Sequence, residues 1–307
     1  MHASFNPCLS QGDSMQRFAS SQWPSLSRPD GRTRVALGLA VAAFLSAVPA
    51  TAAHRSHHRG GLPVDAGVRY SSIVVDWKSG QVLQEDDPDR ITYPASLTKM
   101  MTLYLTFDAL EKGTLTLQQL LPVSERAESM VPTKLGVRMG QHLRVEDAIL
   151  ALITRSANDA AVVLAEAQGG TEDAFAEAMT RKAKELGMKN SIFRNASGLP
   201  DPEQRSTARD LAILAGALIA DHPEFYPYFS RRAFNWRGST IATHNHLMER
   251  YPGMDGLKTG YVRAAGFNLA ASAKQDGRRL VGIVLGGRSP VARDDHMAIL
   301  LDSAFAE

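Results

Sequence analysis

Cysteine is almost missing from this chain: Cys8 is the only one in 307 residues. If the first 53 residues are removed, the remainder has no thiol to lose in an oxidising compartment and cannot use disulfides. Excess charge is lacking too. The formal net charge is +2 at pH 7, and no basic stretch is concentrated enough to offer a face to nucleic acid. No internal repeat is visible, and no apolar run reaches the ~20 residues of a membrane-spanning helix. What is present is an ordinary globular composition, 44% apolar and 21% charged, which can bury a full core in one large domain or two small ones.

The N-terminus departs from that composition. Residues 1–31 are polar and irregular; Arg32-Thr33-Arg34 then precedes the apolar run Val35 to Val48 and the small-residue stretch Pro49-Ala50-Thr51-Ala52-Ala53. A basic segment, a short apolar run and an Ala-x-Ala site together read as a secretory signal peptide. An uncleaved anchor is the rival reading, and Met15 is a second candidate start. Residues 1–53 are therefore expected as leader and signal, 54–63 as a flexible linker and 64–307 as the folded domain. His54, His57 and His58 fall in the linker, where metal binding is the alternative to a solvated tract. Without residues 1–53, which carry four Arg and two Asp, 30 basic and 30 acidic residues remain.

Along the domain, residues 70–77 and 81–84 read as a hairpin turning at Ser79-Gly80. A helix starts near Pro94 and stops at Gly113. Residues 115–143 read as loops with short elements. Helices follow over 145–154, over 160–167, from a Thr171 cap to Leu186, and from a Thr207 capping box to Ala220. Residues 234–243, 267–273 and 279–285 are strand-like, and 292–305 reads as a closing helix. Strands at both ends of a helical middle predict an α/β (α+β) domain. Its terminal segments share an antiparallel sheet flanked by helices, with a helical lobe between them.

The chemistry is organised around Tyr93-Pro94-Ala95-Ser96-Leu97-Thr98-Lys99-Met100. Positions three apart share a helix face, so Lys99 can reach the Ser96 hydroxyl. A serine becomes a nucleophile when a base takes its proton. A lysine serves as that base when burial or a neighbouring cation lowers its pKa. Alone the pair means little, since Ser-x-x-Lys occurs by chance at roughly one position in 250. It does not stand alone. Ser156-Ala157-Asn158 follows 60 residues after Ser96, and Lys258-Thr259-Gly260 another 102 residues on. The ordered trio is close to the signature of β-lactamases and penicillin-binding proteins, with Ala157 where Asp is usual.

The chain thus resembles the serine D-alanyl-D-alanine carboxypeptidases, the low-molecular-mass penicillin-binding proteins. The likeness runs over roughly 64–305 and extends around the motifs, as in Asp255-Gly256-Leu257-Lys258-Thr259-Gly260-Tyr261. It implies a β-lactamase/transpeptidase-like fold and removal of the terminal D-Ala from peptidoglycan stem peptides through an ester on Ser96. Lys99 would be the base and Ser156 a proton relay, with the Asn158 amide holding substrate. Lys258 would lend positive potential and Thr259 a hydroxyl. Gly260 would let the strand approach the acyl chain, and the Ser96 and Tyr261 N–H groups would form the oxyanion hole. Arg293, where the last helix begins, would read the terminal carboxylate; a surface arginine paired with Asp294 or Asp295 is the alternative.

The resemblance implies no cofactor and no metal. The expected partners are the stem peptide and, as covalent inhibitors, β-lactams; no nucleic acid is expected. Many family members add a β-rich domain and a C-terminal amphipathic helix. Their lack here predicts a periplasmic enzyme without a stable membrane anchor once the signal is cleaved. A D,D-endopeptidase and a penicillin-binding sensor that never turns over are rival readings. A β-lactamase is a third, disfavoured because no Glu-x-x-Leu-Asn stretch supplies a deacylating base and Glu166 sits in an ordinary helix.

Overall fold

Ile73, Val74 and Val75 follow one another without a polar break, the pattern of a strand covered on both faces. All three are fully buried in the computed structural model, which describes residues 70–307. The expected signal peptide and linker, and residues 64–69 of the expected domain, lie outside the described residues.

Strands β1 (Ser71–Asp76) and β2 (Val82–Asp86) form the expected hairpin. A 3-10 turn, Ala95–Thr98, then opens directly into helix α1 (Lys99–Glu111). The stretch expected as loops contains β3 (Leu120–Pro122), α2 (Glu125–Glu128) and β4 (His142–Arg144), with β3 and β4 paired. Helices α3 (Val145–Thr154), α4 (Asn158–Gly169) and α5 (Glu172–Glu185) complete a helical lobe. Helix α6 (Ala208–Asp221) follows. Its Thr207 cap accepts from Asp210 N at 3.1 Å, but the reciprocal half of the predicted capping box is missing. The Asp210 carboxylate instead accepts from Asn190 N and Ser191 Oγ.

Residues 234–243 form not one strand but a second hairpin, β5 (Ala233–Trp236) and β6 (Ser239–Ala242). Arg237 and Gly238, both with positive φ, make its turn. A short helix, α7 (Leu247–Arg250), leads into β7 (Met254–Val262), β8 (Gly266–Gln275) and β9 (Arg278–Gly287). The closing helix α8 (Pro290–Phe305) starts two residues before its expected position. Ser289 caps it, accepting from Ala292 N at 3.0 Å, and Pro290 fits its first turn.

The main sheet has the order β2-β1-β9-β8-β7, antiparallel throughout, so the two ends of the domain share one sheet. Successive side chains face opposite ways. Ile73, Val75, Val281, Ile283 and Leu285 join the core with α1 and α6. Val74, Leu269 and Val284 pack on Met297, Leu301 and Ala304 of α8. Each such aliphatic side chain contributes about 1.5–3 kcal/mol when fully buried. Strand β7 is left at the edge, against the 3-10 turn that carries Ser96. No helix among the described residues is long and apolar enough to cross a membrane.

Candidate active site

The turn before α1 is bent by Ala95, at φ 52°, in the left-handed region that a side chain adopts at a cost of about 1–2 kcal/mol. Gly198 holds it there. A Cβ on Gly198 would lie 1.9 Å from the Ala95 carbonyl oxygen, so only glycine lets the two backbones meet. The bend leaves Ser96 half-buried at the mouth of a cleft of about 420 Å³.

One turn on, Lys99 is completely buried. Its Nζ lies 3.2 Å from Ser96 Oγ and donates to Asn158 Oδ1 at 2.8 Å and to the Ser197 carbonyl. None of these partners is a carboxylate. Burial, and then the Lys258 charge, hold the amine well below the ordinary lysine range. Asp159 and Glu172 act in the opposite sense but do not prevail. Their oxygens are engaged elsewhere: Asp159 accepts from Leu135 N at 2.9 Å and Gly136 N at 2.8 Å, Glu172 from Arg126 at 2.8 Å and Ala196 N at 3.1 Å.

Ser156 sits at the junction of α3 and α4 with φ 58°, and its buried Oγ faces the cleft without a hydrogen-bond partner. Thr133 fixes this junction from across the cleft. Its hydroxyl donates to Ser156 O at 2.9 Å, and its carbonyl accepts from Asn158 N at 2.7 Å. The Asn158 side chain spans the site, accepting from Lys99 and donating to Val131 O at 3.0 Å. In this arrangement its amide bridges the base and the facing loop.

Strand β7 closes the other side. Lys258 is buried, donates to Thr259 O at 2.8 Å, and is pushed down to about 7 by burial and then by Arg293. Thr259, Gly260 and Tyr261 line the cleft. An edge strand keeps alternate N–H groups unpaired on its open side. A Cβ on Gly260 would come within 3.0 Å of Ser96 N and 2.9 Å of Leu97 Cδ1. The missing side chain thus makes room for the nucleophile's own backbone. Tyr261 is exposed and lies on Phe267, ring centroids 4.3 Å apart. Arg293 is not on the surface: it is 3% exposed, lines the cleft and pairs with Asp294 at 2.7 Å.

Ser197, Gly198, Thr133 and His244 escaped the sequence reading as site residues. Ser197-Gly198 is visible in sequence only as an Asn-anchored turn, with Asn195 Oδ1 accepting from Gly198 N at 2.7 Å. His244 lines the cleft and is lowered to about 4 by burial, Lys258 and Arg155 in that order, so it is neutral at pH 7. Glu166 lies outside the cleft lining, accepting from Ser124 Oγ at 2.9 Å. A grouping with metal-ligand donors, Asp108, Glu111 and His222, is at the far end of α1 from Ser96, with Lys182 3.2 Å from Asp108.

A buried, carboxylate-free lysine beside a serine at an exposed strand edge is the outfit of an acyl-transfer site. Comparison with known proteins agrees in kind. The chain is 34% identical to the D-alanyl-D-alanine carboxypeptidase DacF of Bacillus subtilis, over 77% of this chain and 62% of that one. The crystal structure of the D-alanyl-D-alanine carboxypeptidase DacD from Francisella tularensis superposes with a TM-score of 0.75 at 30% identity, covering 80% of this chain and 71% of that one. Cefotaxime-bound penicillin-binding protein D2 from Listeria monocytogenes gives 0.70 at 30% identity, covering 76% and 96%. The chain spans about three fifths of the length of curated relatives such as the Bacillus protein. With residues 64–289 matching the family model described as D-alanyl-D-alanine carboxypeptidase, the chain belongs to the peptidase S11 family.

Proposed function

We propose that this chain is a serine D,D-carboxypeptidase that removes the terminal D-Ala from peptidoglycan stem pentapeptides. The observation that carries the reading is the Lys99 amine. A neutral amine has two N–H bonds and one lone pair. The Asn158 and Ser197 oxygens take the two N–H bonds, which leaves the lone pair for the Ser96 hydroxyl 3.2 Å away. Lys99 is therefore set to accept the Ser96 proton.

Ser96 Oγ bonds to the carbonyl carbon of the penultimate D-Ala as its proton passes to Lys99. The oxyanion is held by the Ser96 and Tyr261 N–H groups, where removal of one donor typically costs ~10²–10³ in rate. The C–N bond to the terminal D-Ala then breaks. Its nitrogen takes a proton through Ser156, whose unpartnered Oγ is free to relay it. Water next attacks the ester, losing its proton to Lys99, and Ser96 Oγ recovers one as it leaves. Thr259, Arg293 and protonated Lys258 supply the donors and charge that a free terminal carboxylate requires. No step calls for a metal or cofactor.

β-Lactams present a carbonyl to the same nucleophile, in line with the cefotaxime-bound Listeria relative. The signal-like segment 32–53 supports export to the periplasm, with 54–63 as linker and 64–307 as the catalytic domain. Intact mass of the secreted protein should show a start near Ala53 or His54; a chain retaining 35–48 contradicts that processing. The reaction itself is tested with a labelled penicillin, which should attach to Ser96 and release slowly, with little nitrocefin turnover. Label retained in Ser96→Ala moves the nucleophile elsewhere, and rapid nitrocefin hydrolysis makes the protein a β-lactamase.

A further inference from the structure

The helical-lobe side of the cleft mouth carries a group of cations that the reaction does not use. Lys134, Arg138, Arg155 and Arg237 come from three separate stretches, and none of the four pairs with a carboxylate among the described residues. Lys134 donates to the Glu128 carbonyl at 3.0 Å and Arg237 to Gln141 Oε1 at 2.9 Å, neutral acceptors that leave both charges in place. The three arginines are exposed. The Glu128 carboxylate nearby is engaged with Met139 N, at 2.9 Å.

The fold gathers these charges and ties them to the catalytic machinery. Thr133 and Ser156 both line the cleft, and Thr133 Oγ1 donates to Ser156 O, so their chain neighbours Lys134 and Arg155 are brought together at its rim. Asp159 holds the loop that follows, accepting from Leu135 N, Gly136 N and Val137 N at 2.9, 2.8 and 3.2 Å. Gln141 Oε1 accepts from Arg138 N at 3.1 Å as well as from Arg237, which brings the β5–β6 turn to the same loop. Loop, hairpin and α3–α4 junction thus form one basic shelf beside the cleft. Like charges held together without counter-ions repel one another in the free protein, and a polyanion laid across them relieves that repulsion.

The substrate is such a polyanion. A stem peptide is one of many along a glycan chain, and each of its neighbours ends in a carboxylate of its own. The peptide in the cleft lies along β7, whereas the shelf is on the opposite wall, clear of the scissile bond. We propose that this shelf docks the carboxylates of neighbouring stem peptides in polymeric peptidoglycan, outside the cleft, while one peptide is processed within it. The inference rests on the cleft being a D,D-peptidase site, and the test separates the two. Met139, 60% exposed on the same loop, suits a lipid surface instead, so vesicles are the competing target.

The intact protein, its cleft first blocked by penicillin, is sedimented with purified peptidoglycan sacculi, with sacculi whose carboxylates have been amidated, and with vesicles containing anionic lipid. Blocked wild type should pellet with untreated sacculi and be released by salt. The Arg138→Gln/Arg155→Gln/Arg237→Gln variant should bind about fivefold more weakly, the scale of three exposed ion pairs. It should match wild type in penicillin acylation and in D-Ala release from a soluble pentapeptide, yet release D-Ala more slowly from sacculi. Should Arg155→Gln disturb the neighbouring Ser156, the Arg138→Gln/Arg237→Gln pair carries the same comparison. Equal binding by wild type and variant, equal binding to amidated sacculi, or binding to vesicles alone overturns the shelf. Carboxylate-dependent binding with no D-Ala release from any peptide keeps the shelf and removes the carboxypeptidase reading instead.

Discussion

Lys99 and Lys258 are both buried behind the cleft, yet their surroundings divide the work between them. Burial, and then the Lys258 charge, hold Lys99 well below the ordinary lysine range, which favours the free amine beside Ser96. Lys258 is pushed down to about 7, and an incoming carboxylate favours its charged form. Lys99→Arg keeps a cation of similar reach but cannot deprotonate. Acylation should fall by the ~10²–10⁴ of a lost general base, with unchanged circular dichroism; a rate near wild type would make Lys99 merely electrostatic. Arg293 carries a different expectation. Arg293→Ala should weaken cleavage of peptides with a free terminal D-Ala by about 1.5–3 kcal/mol, one charge-assisted bond. A C-terminally amidated peptide should lose far less. Because the change leaves the buried Asp294 carboxylate only the distant Arg250, 4.0 Å away, the melting temperature should also drop. Equal losses on both peptides would leave Arg293 a purely structural residue.

At the scale of elements, the site is a meeting of three pieces: the turn before α1, the α3–α4 junction and the β7 edge. Gly260 is the point where two of them touch, with Ser96 N and Leu97 Cδ1 inside the space a Cβ needs. Gly260→Ala should therefore push β7 from the nucleophile. We expect penicillin acylation to fall at least tenfold, about 1.4 kcal/mol of barrier, while thermal stability changes little; unchanged acylation would show that the two segments tolerate separation. The sequence made much of this legible because its signals are local. The caps at Thr171 and Thr207, the breaks at Gly113 and Gly187 and the mixed strand of β1 each act within a few residues. The β5–β6 hairpin was hidden because its turn is Arg237-Gly238 rather than Asn-Gly. Thr133, Ser197 and His244 were hidden for another reason: they matter through contacts with residues far along the chain, and nothing in their own neighbourhoods marks them. Arg293 was singled out through the resemblance, but its place in sequence gave no sign that it is buried.

The molecule buries three basic side chains, Lys99, Lys258 and Arg293, around one cleft. Both lysines have folded pKa values below the unfolded value of ~10.4. Between about 7, where folded Lys258 titrates, and that unfolded value the denatured chain binds more protons, so stability rises with pH. Above ~10 the sign reverses. Burial first, and then carboxylate neighbours, raise Tyr104 and Tyr226, so an unfolded tyrosine ionises where the folded one does not. The melting temperature should climb from pH 7 to 9.5, and Lys258→Met should flatten that climb; parallel slopes would show that the buried lysine is not its source. The central claim, that this cleft hydrolyses a D-Ala-D-Ala bond through Ser96, is tested most directly by free D-Ala released from a stem pentapeptide. Wild type should release one D-Ala per peptide and leave the tetrapeptide, and Ser96→Ala, folded as judged by its melting temperature, should release none. Release by Ser96→Ala at the wild-type rate, or none by wild type, would contradict the account.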